Sequence, residues 1–258
     1  MSFAIWIGLG WLGLWAAFLP ALVPRRARPP ARPGDAGRLL AGAAGGGALW
    51  AVLSATTHAL EGAARSAAVL GASIAGAVFL AVFLRRGDAP ARPLRAAGAD
   101  VARGAVAYLA FLPLVVALDA AWRPSGERAV SEAVLGLAGG PASLSFWFVS
   151  AALVVAVPCF EELFGRGALQ PGLEAALRPS LAPRLAAAVA VVTSSLAFTA
   201  LHEPSAWATV FVLSLLLGAA AARSASVAPA IGFHAAHNAS VIAYELWLRE
   251  PLERLGLM

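Results

Sequence analysis

Apolar runs close to 20 residues long recur along the whole chain, and no other feature narrows its possible folds so far. Wound as a helix, a run of that length matches the roughly 30 Å hydrocarbon core of a bilayer. Within lipid, every backbone N–H and C=O must find its partner in the chain itself, which makes helices of these runs. Eight spans can be drawn, at about 3–23, 39–57, 66–84, 104–122, 144–164, 187–205, 207–222 and 228–248. Composition agrees, with 60% hydrophobic and 13% charged residues and a mean hydropathy of +0.77. The expected fold is an all-α, polytopic transmembrane helix bundle. A soluble domain is excluded.

The charged residues orient that bundle. All 19 basic residues are arginines, which in a chain rich in Ala, Gly and Pro reads as codon bias, so no nucleic-acid partner is expected. They collect in short loops, as topology signals do. A Pro/Arg linker over residues 24–33 and the loop from Arg85 to Arg103 mark the cytoplasmic side, and Arg178, Arg184 and Arg223 fall on the same side. The loops at 58–65 and 123–143 balance their charges and belong outside, with both termini. No basic region precedes the first run, so 3–23 is expected to be a retained span and not a cleaved signal. The expected setting is a bacterial cytoplasmic (inner) membrane, crossed several times, with membrane lipids as partners.

Several features are structural before they are chemical. Trp6, Trp122, Trp147, Trp207 and Trp247 fall near span ends, where indole rings settle at the membrane interface. Gly42–Gly47 and Gly71–Gly76 offer small surfaces for close helix contact, within the chain more readily than between chains. Cys159 excludes an internal disulfide and a multi-cysteine metal site, and it reads as an apolar filler. Residues 1–143 supply four spans without a motif, 144–248 four spans that carry the polar groups, and 249–258 a tail.

Those polar groups centre on Phe160-Glu161-Glu162-Leu163-Phe164-Gly165-Arg166-Gly167. A charge in hydrocarbon costs about 2.5–3.5 kcal/mol on insertion scales, so such residues face a cavity or one another. Glu162 and Arg166 stand at i,i+4 and are expected to neutralise each other. Glu161 points elsewhere, with Gly165 leaving open space one turn below, and is expected to be the reactive group. The plainer alternative is a polar cap on a membrane helix in the headgroup region. Farther along, Phe198 and His202 share one turn spacing, and His234 and Asn238 another, with His237 flanking. Together with Glu161 they supply what amide hydrolysis needs: a base for water, a partner to steer it, and donors for an oxyanion. Counted from the cytoplasmic ends, Glu161 sits a few ångströms deep, His234 roughly 10 Å and His202 somewhat deeper. They can share one cavity only if the fifth helix continues past Arg166.

Competing chemistries lack their residues. No His-Glu-x-x-His motif exists, because Pro204 follows His202-Glu203 and position 206 is Ala. No pair of intramembrane aspartates occurs, and Ser73 is the sole faint serine-protease candidate. Two non-hydrolytic readings stay open: an immunity or scaffold protein that keeps the cluster for structure or partner binding, and a transporter or proton relay. The latter would show an internal repeat, and none is visible.

Glu161-Glu162-x-x-x-Arg166, Phe198-x-x-x-His202 and His234-x-x-x-Asn238, in this order, resemble the CPBP family: type II CAAX prenyl endopeptidases and bacteriocin-processing or Abi proteins. The resemblance covers about residues 155–240. It implies an eight-helix intramembrane endopeptidase with a cavity open to the cytosol, hydrolysing a membrane-associated, lipidated or CAAX-like protein or peptide. In that picture Glu161 and His202 activate water, His234 and Asn238 stabilise the oxyanion, and Glu162 and Arg166 shape the site. Gly165 departs from the family, which carries an aromatic residue there. The family is often called metalloprotease, and Glu161, His202 and His234 are acceptable ligands for a divalent metal such as Zn. The metal is left open, with metal-independent water activation favoured.

Overall fold

The structure is a computed structural model that describes residues 34–57, 60, 62–85, 97–122, 143–248, 251 and 254. The expected first span, the Pro/Arg linker, Trp6 and most of the 123–143 loop lie outside the described residues. Every regular element among the described residues is helical. We number them α1 (Asp35–Thr56), α2 (Gly62–Arg85), α3 (Ala97–Trp122), α4 (Leu144–Leu177), α5 (Pro183–Thr199), α6 (Trp207–Ser224) and α7 (Ala228–Ala243), the last continuing as a π-turn over Tyr244–Leu248.

Five of these helices contain stretches long and apolar enough to cross a membrane: Asp35–Thr56, Ala64–Arg85, Gly98–Asp119, Leu144–Leu177 and Pro204–Ser224. That makes the chain an integral membrane protein. The eight expected spans are not all met among the described residues. Helix α5 is a shorter apolar helix of 17 residues, and α7, 16 residues before its π-turn, is not among the five. Two features account for the difference: Pro204 interrupts the apolar run after α5, and His234, His237 and Asn238 make the run through α7 polar.

The largest departure from expectation is α4. The spacing predicts an end near residue 164, whereas the helix runs 34 residues to Leu177, about 50 Å at 1.5 Å per residue. Two π-helical segments interrupt it, Ala152–Ala156 and Leu163–Leu169. Each is followed within two residues by a proline, Pro158 and Pro171. A proline lacks the N–H and crowds the carbonyl four residues back, and widening the preceding turn relieves both problems. The short α-segment Val157–Glu162 between the two π-turns presents both acids.

Two apolar clusters hold the bundle. One joins α3, α6 and α7 through Tyr108, Phe111, Leu114, Leu213, Leu217 and Phe233. The other joins α1, α2, α4 and α7 through Leu39, Leu80, Leu84, Phe160, Leu163 and Ile231. The glycine-rich stretches pack within the chain, as expected. A Cβ on Gly42 or Gly46 would strike Phe83 or Leu80, and one on Gly76 would strike Phe160. Trp50 stacks on Phe160 with ring centroids 5.5 Å apart, and Phe160 stacks on Phe164 at 6.1 Å. These rings pack α4 against α1.

Between α3 and α7 the approach is closest. A Cβ at Gly104 would overlap the carbonyl of Pro229, and one at Gly232 the carbonyl of Val101. Contact this intimate is how apolar helices gain packing energy in lipid, where no hydrophobic drive separates them from the solvent. It seats α7 two residues before His234. The α6–α7 turn is tight, with Ala225 in the left-handed region (φ 51°) and Ser226 Oγ accepting from the Ala228 N–H at 3.2 Å.

Candidate active site

Glu162 is fully buried, and one of its oxygens ties α4 to α7 directly and to α6 through Arg166. Oε1 accepts from Arg166 Nη1 at 3.2 Å on α4 and from His234 Nδ1 at 2.9 Å on α7. Arg166 in turn donates through Nη2 to Ser214 Oγ at 2.7 Å and to the Ser214 carbonyl at 3.2 Å, both on α6. Its guanidinium carbon lies 4.7 Å from the centre of the Phe198 ring on α5. The expected Glu162–Arg166 pair is therefore present, and it does more than neutralise itself. Gln170, one turn on, repeats the α4–α6 tie by donating to the Gly218 carbonyl at 3.3 Å.

His234 stands between the two acids. Its Nδ1 faces Glu162 and its Nε2 lies 3.6 Å from Glu161 Oε2. An ionised carboxylate can only accept, so Glu162 keeps a proton on Nδ1. Nε2 and Glu161 then meet across one further proton, carried by the ring or by the acid. With that proton on the ring, two carboxylates face two cations, and the buried cluster is neutral as a whole. Glu161 is the more open acid, its side chain 21% exposed where Glu162 is at 0%.

His202 reaches the cluster through Phe198. Its ring packs on Phe198 at 4.7 Å between centroids, and Phe198 meets the His234 ring edge-on at 6.1 Å. His202, His234, Glu162 and Arg166 all lie within electrostatic range of Glu161. The His202 Nδ1 contacts the Phe198 carbonyl at 2.9 Å, so Nδ1 carries a hydrogen and the neutral form of the ring has its lone pair on Nε2. Because α4 continues to Leu177, Glu161 stands roughly 24 Å along the helix from that end, and the expected continuation past Arg166 is present. Helix α5 climbs about 25 Å from the same end of the bundle, which brings Phe198 and His202 up beside it.

Asn238 is placed differently from the other three. Its Nδ2 donates to the Leu153 carbonyl at 2.7 Å. Val157 N–H serves the Ala152 carbonyl in the first π-turn, and the next donor in that register would be Pro158, which has none. Asn238 supplies the missing hydrogen. Its second amide hydrogen has no partner among the described residues. His237 packs its ring on Tyr108, and its Nδ1 is a buried atom without a hydrogen-bond partner among the described residues. Cys159 is half-buried beside the cluster.

Sequence reasoning missed Ser214 and the bridging role of His234. Ser214 left a signal, because it and Thr209 are the only polar side chains of the 207–222 run. Among the described residues, no three His, Cys, Asp or Glu side chains are gathered closely enough to hold a metal ion. In this arrangement His234 gives one nitrogen to Glu162 and turns the other toward Glu161. The candidate metal set Glu161, His202 and His234 does not fit a metal site here, and no step is routed through one.

The class defined so far is an all-helical integral membrane protein with a carboxylate–histidine cluster buried at mid-bundle. Residues 143–240 match the family model described as type II CAAX prenyl endopeptidase Rce1-like, so this part of the chain carries the expected likeness. That family is one of proteases, and the matched region contains the whole cluster. No curated protein and no solved structure matches the chain significantly.

Proposed function

We propose that the protein is an intramembrane endopeptidase of a bacterial inner membrane that hydrolyses a peptide bond of a membrane-associated protein or peptide. The supporting observation is the asymmetric pair of acids: Glu162 is committed to Arg166 and His234, while Glu161 faces His234 Nε2 with part of its surface open. In the reading, the Glu161 carboxylate takes a proton from water, aided by the lone pair of His202 Nε2. The hydroxide adds to the scissile carbonyl carbon. The carbonyl oxygen becomes an oxyanion and receives hydrogen bonds from protonated His234 Nε2 and from the spare amide hydrogen of Asn238. As the C–N bond breaks, Glu161 passes its proton to the departing nitrogen, leaving a carboxylic acid and an amine. Water activation here needs no metal, and a lipidated or CAAX-like substrate is the class the family name suggests.

The test is Glu161→Gln in the full chain reconstituted into vesicles. Turnover of a membrane-anchored peptide should fall at least 1,000-fold with the thermal midpoint little changed, within the range that loss of a catalytic base and its electrostatics can produce. Undiminished turnover would refute the role of Glu161. If turnover is absent in the unaltered protein as well, the cluster is structural and the scaffold reading takes its place.

A further inference from the structure

Gly165 stands one turn beyond Glu161 on α4 and is buried. Nearly every buried glycine among the described residues has a neighbour pressed close to where a Cβ would stand. Leu84 faces Gly167, Leu40 faces Gly172, Val191 faces Gly218, and backbone faces Gly104 and Gly232. Gly165 is the exception. A Cβ built there would come within 4 Å of no atom of the described residues outside its own helix turn and its chain neighbours. Helix packing therefore does not explain the glycine, and its φ is not in the left-handed region. What remains is a gap inside the protein, on the same side of α4 as Glu161.

We infer that this gap is a side-chain subsite, and that Gly165 sets its size. The inference rests on Glu161 being the base of the reaction. One helical turn advances about 6 Å, close to the spacing of alternate side chains along an extended peptide. A substrate strand whose carbonyl lies over Glu161 thus carries a flanking side chain to the level of Gly165. Leu169, the next turn on, is half-buried against the apolar cluster that joins α1, α2 and α4, so the surroundings of this part of α4 are apolar and the occupant is a large apolar side chain adjacent to the scissile bond. Replacing the glycine by a larger residue fills the space that this side chain takes.

The experiment uses the full chain in vesicles of phosphatidylethanolamine and phosphatidylglycerol. The probe is a library of acyl-anchored peptides with a randomised cassette, with cleavage sites read by mass spectrometry. The unaltered protein should cleave next to Leu, Phe or Trp. Gly165→Leu should lower that cleavage tenfold or more while keeping cleavage next to Gly, Ala or Ser within about threefold, the scale on which pockets discriminate by size. Gly165→Ala, which meets no neighbour, should fall between. An unchanged profile in Gly165→Leu overturns the subsite and leaves Glu161 chemistry standing. Equal loss of all cleavage in both variants also overturns it. Cleavage that persists in Glu161→Gln overturns the reading of the site itself, and the subsite with it.

Discussion

Glu162 shows how much a single carboxylate oxygen can organise. Removing its charge leaves Arg166 and His234 buried without their shared counter-charge, a loss on the scale of about 3–5 kcal/mol for breaking a buried ion pair. Glu162→Gln should therefore lower the thermal midpoint of the detergent-solubilised protein sharply, whereas Glu161→Gln should not. A midpoint unchanged in Glu162→Gln would mean that Ser214 and Phe198 hold Arg166 unaided. The i,i+4 spacing of Glu162 and Arg166 made their pairing legible in the chain. The His234 contact was not, because it joins residues 72 positions apart and depends on how α7 is rotated. Asn238 was legible as a polar group facing inward, but its acceptor exists only because Pro158 withholds a donor from the first π-turn.

At the scale of elements, the apolar runs revealed where most helices lie, since lipid leaves a long apolar run no other regular structure. The end of α4 was hidden because Gly165, Gly167, Gln170, Pro171, Gly172 and Glu174 look like a break. They continue the helix because the residues around them are protein and not lipid: Gln170 and Glu174 are buried, Gln170 against α6 and Glu174 against Arg178 at 2.8 Å. The α3–α7 seam offers the sharpest test at this scale. Gly232→Ala and Gly104→Ala each place a methyl group on a backbone carbonyl, so the helices must part and His234 must shift. Both variants should lose most folded protein and activity. Gly71→Ala, where nothing lies within 4 Å, should behave as the unaltered chain in the same folding assay. Equal tolerance at all three positions would mean that the seam is looser than described.

For the whole molecule, chain alternation puts four arginines and four tryptophans at opposite ends. Arg85, Arg178, Arg184 and Arg223 sit where α2 and α4 end, α5 begins and α6 ends. Exposed Trp122, Trp147, Trp207 and Trp247 sit at the other helix ends, and the first and third of these donate to the carbonyls of Pro204 (3.3 Å) and His202 (2.8 Å). A cysteine placed at the exposed Arg184, with Cys159 replaced by Ala, should react with a membrane-impermeant maleimide only after cells are opened. Labelling of intact cells would invert the orientation drawn from the loop charges. One consequence concerns how the protein is made. The acids emerge from the ribosome long before their histidine, and the oxygen that seats it waits for the last described helix. Until that helix threads home, a nascent chain holds its acid but not the imidazole that completes the cluster. Under the proposed function, the chain is inert through most of its own synthesis, and a prematurely terminated copy lacks the completed cluster.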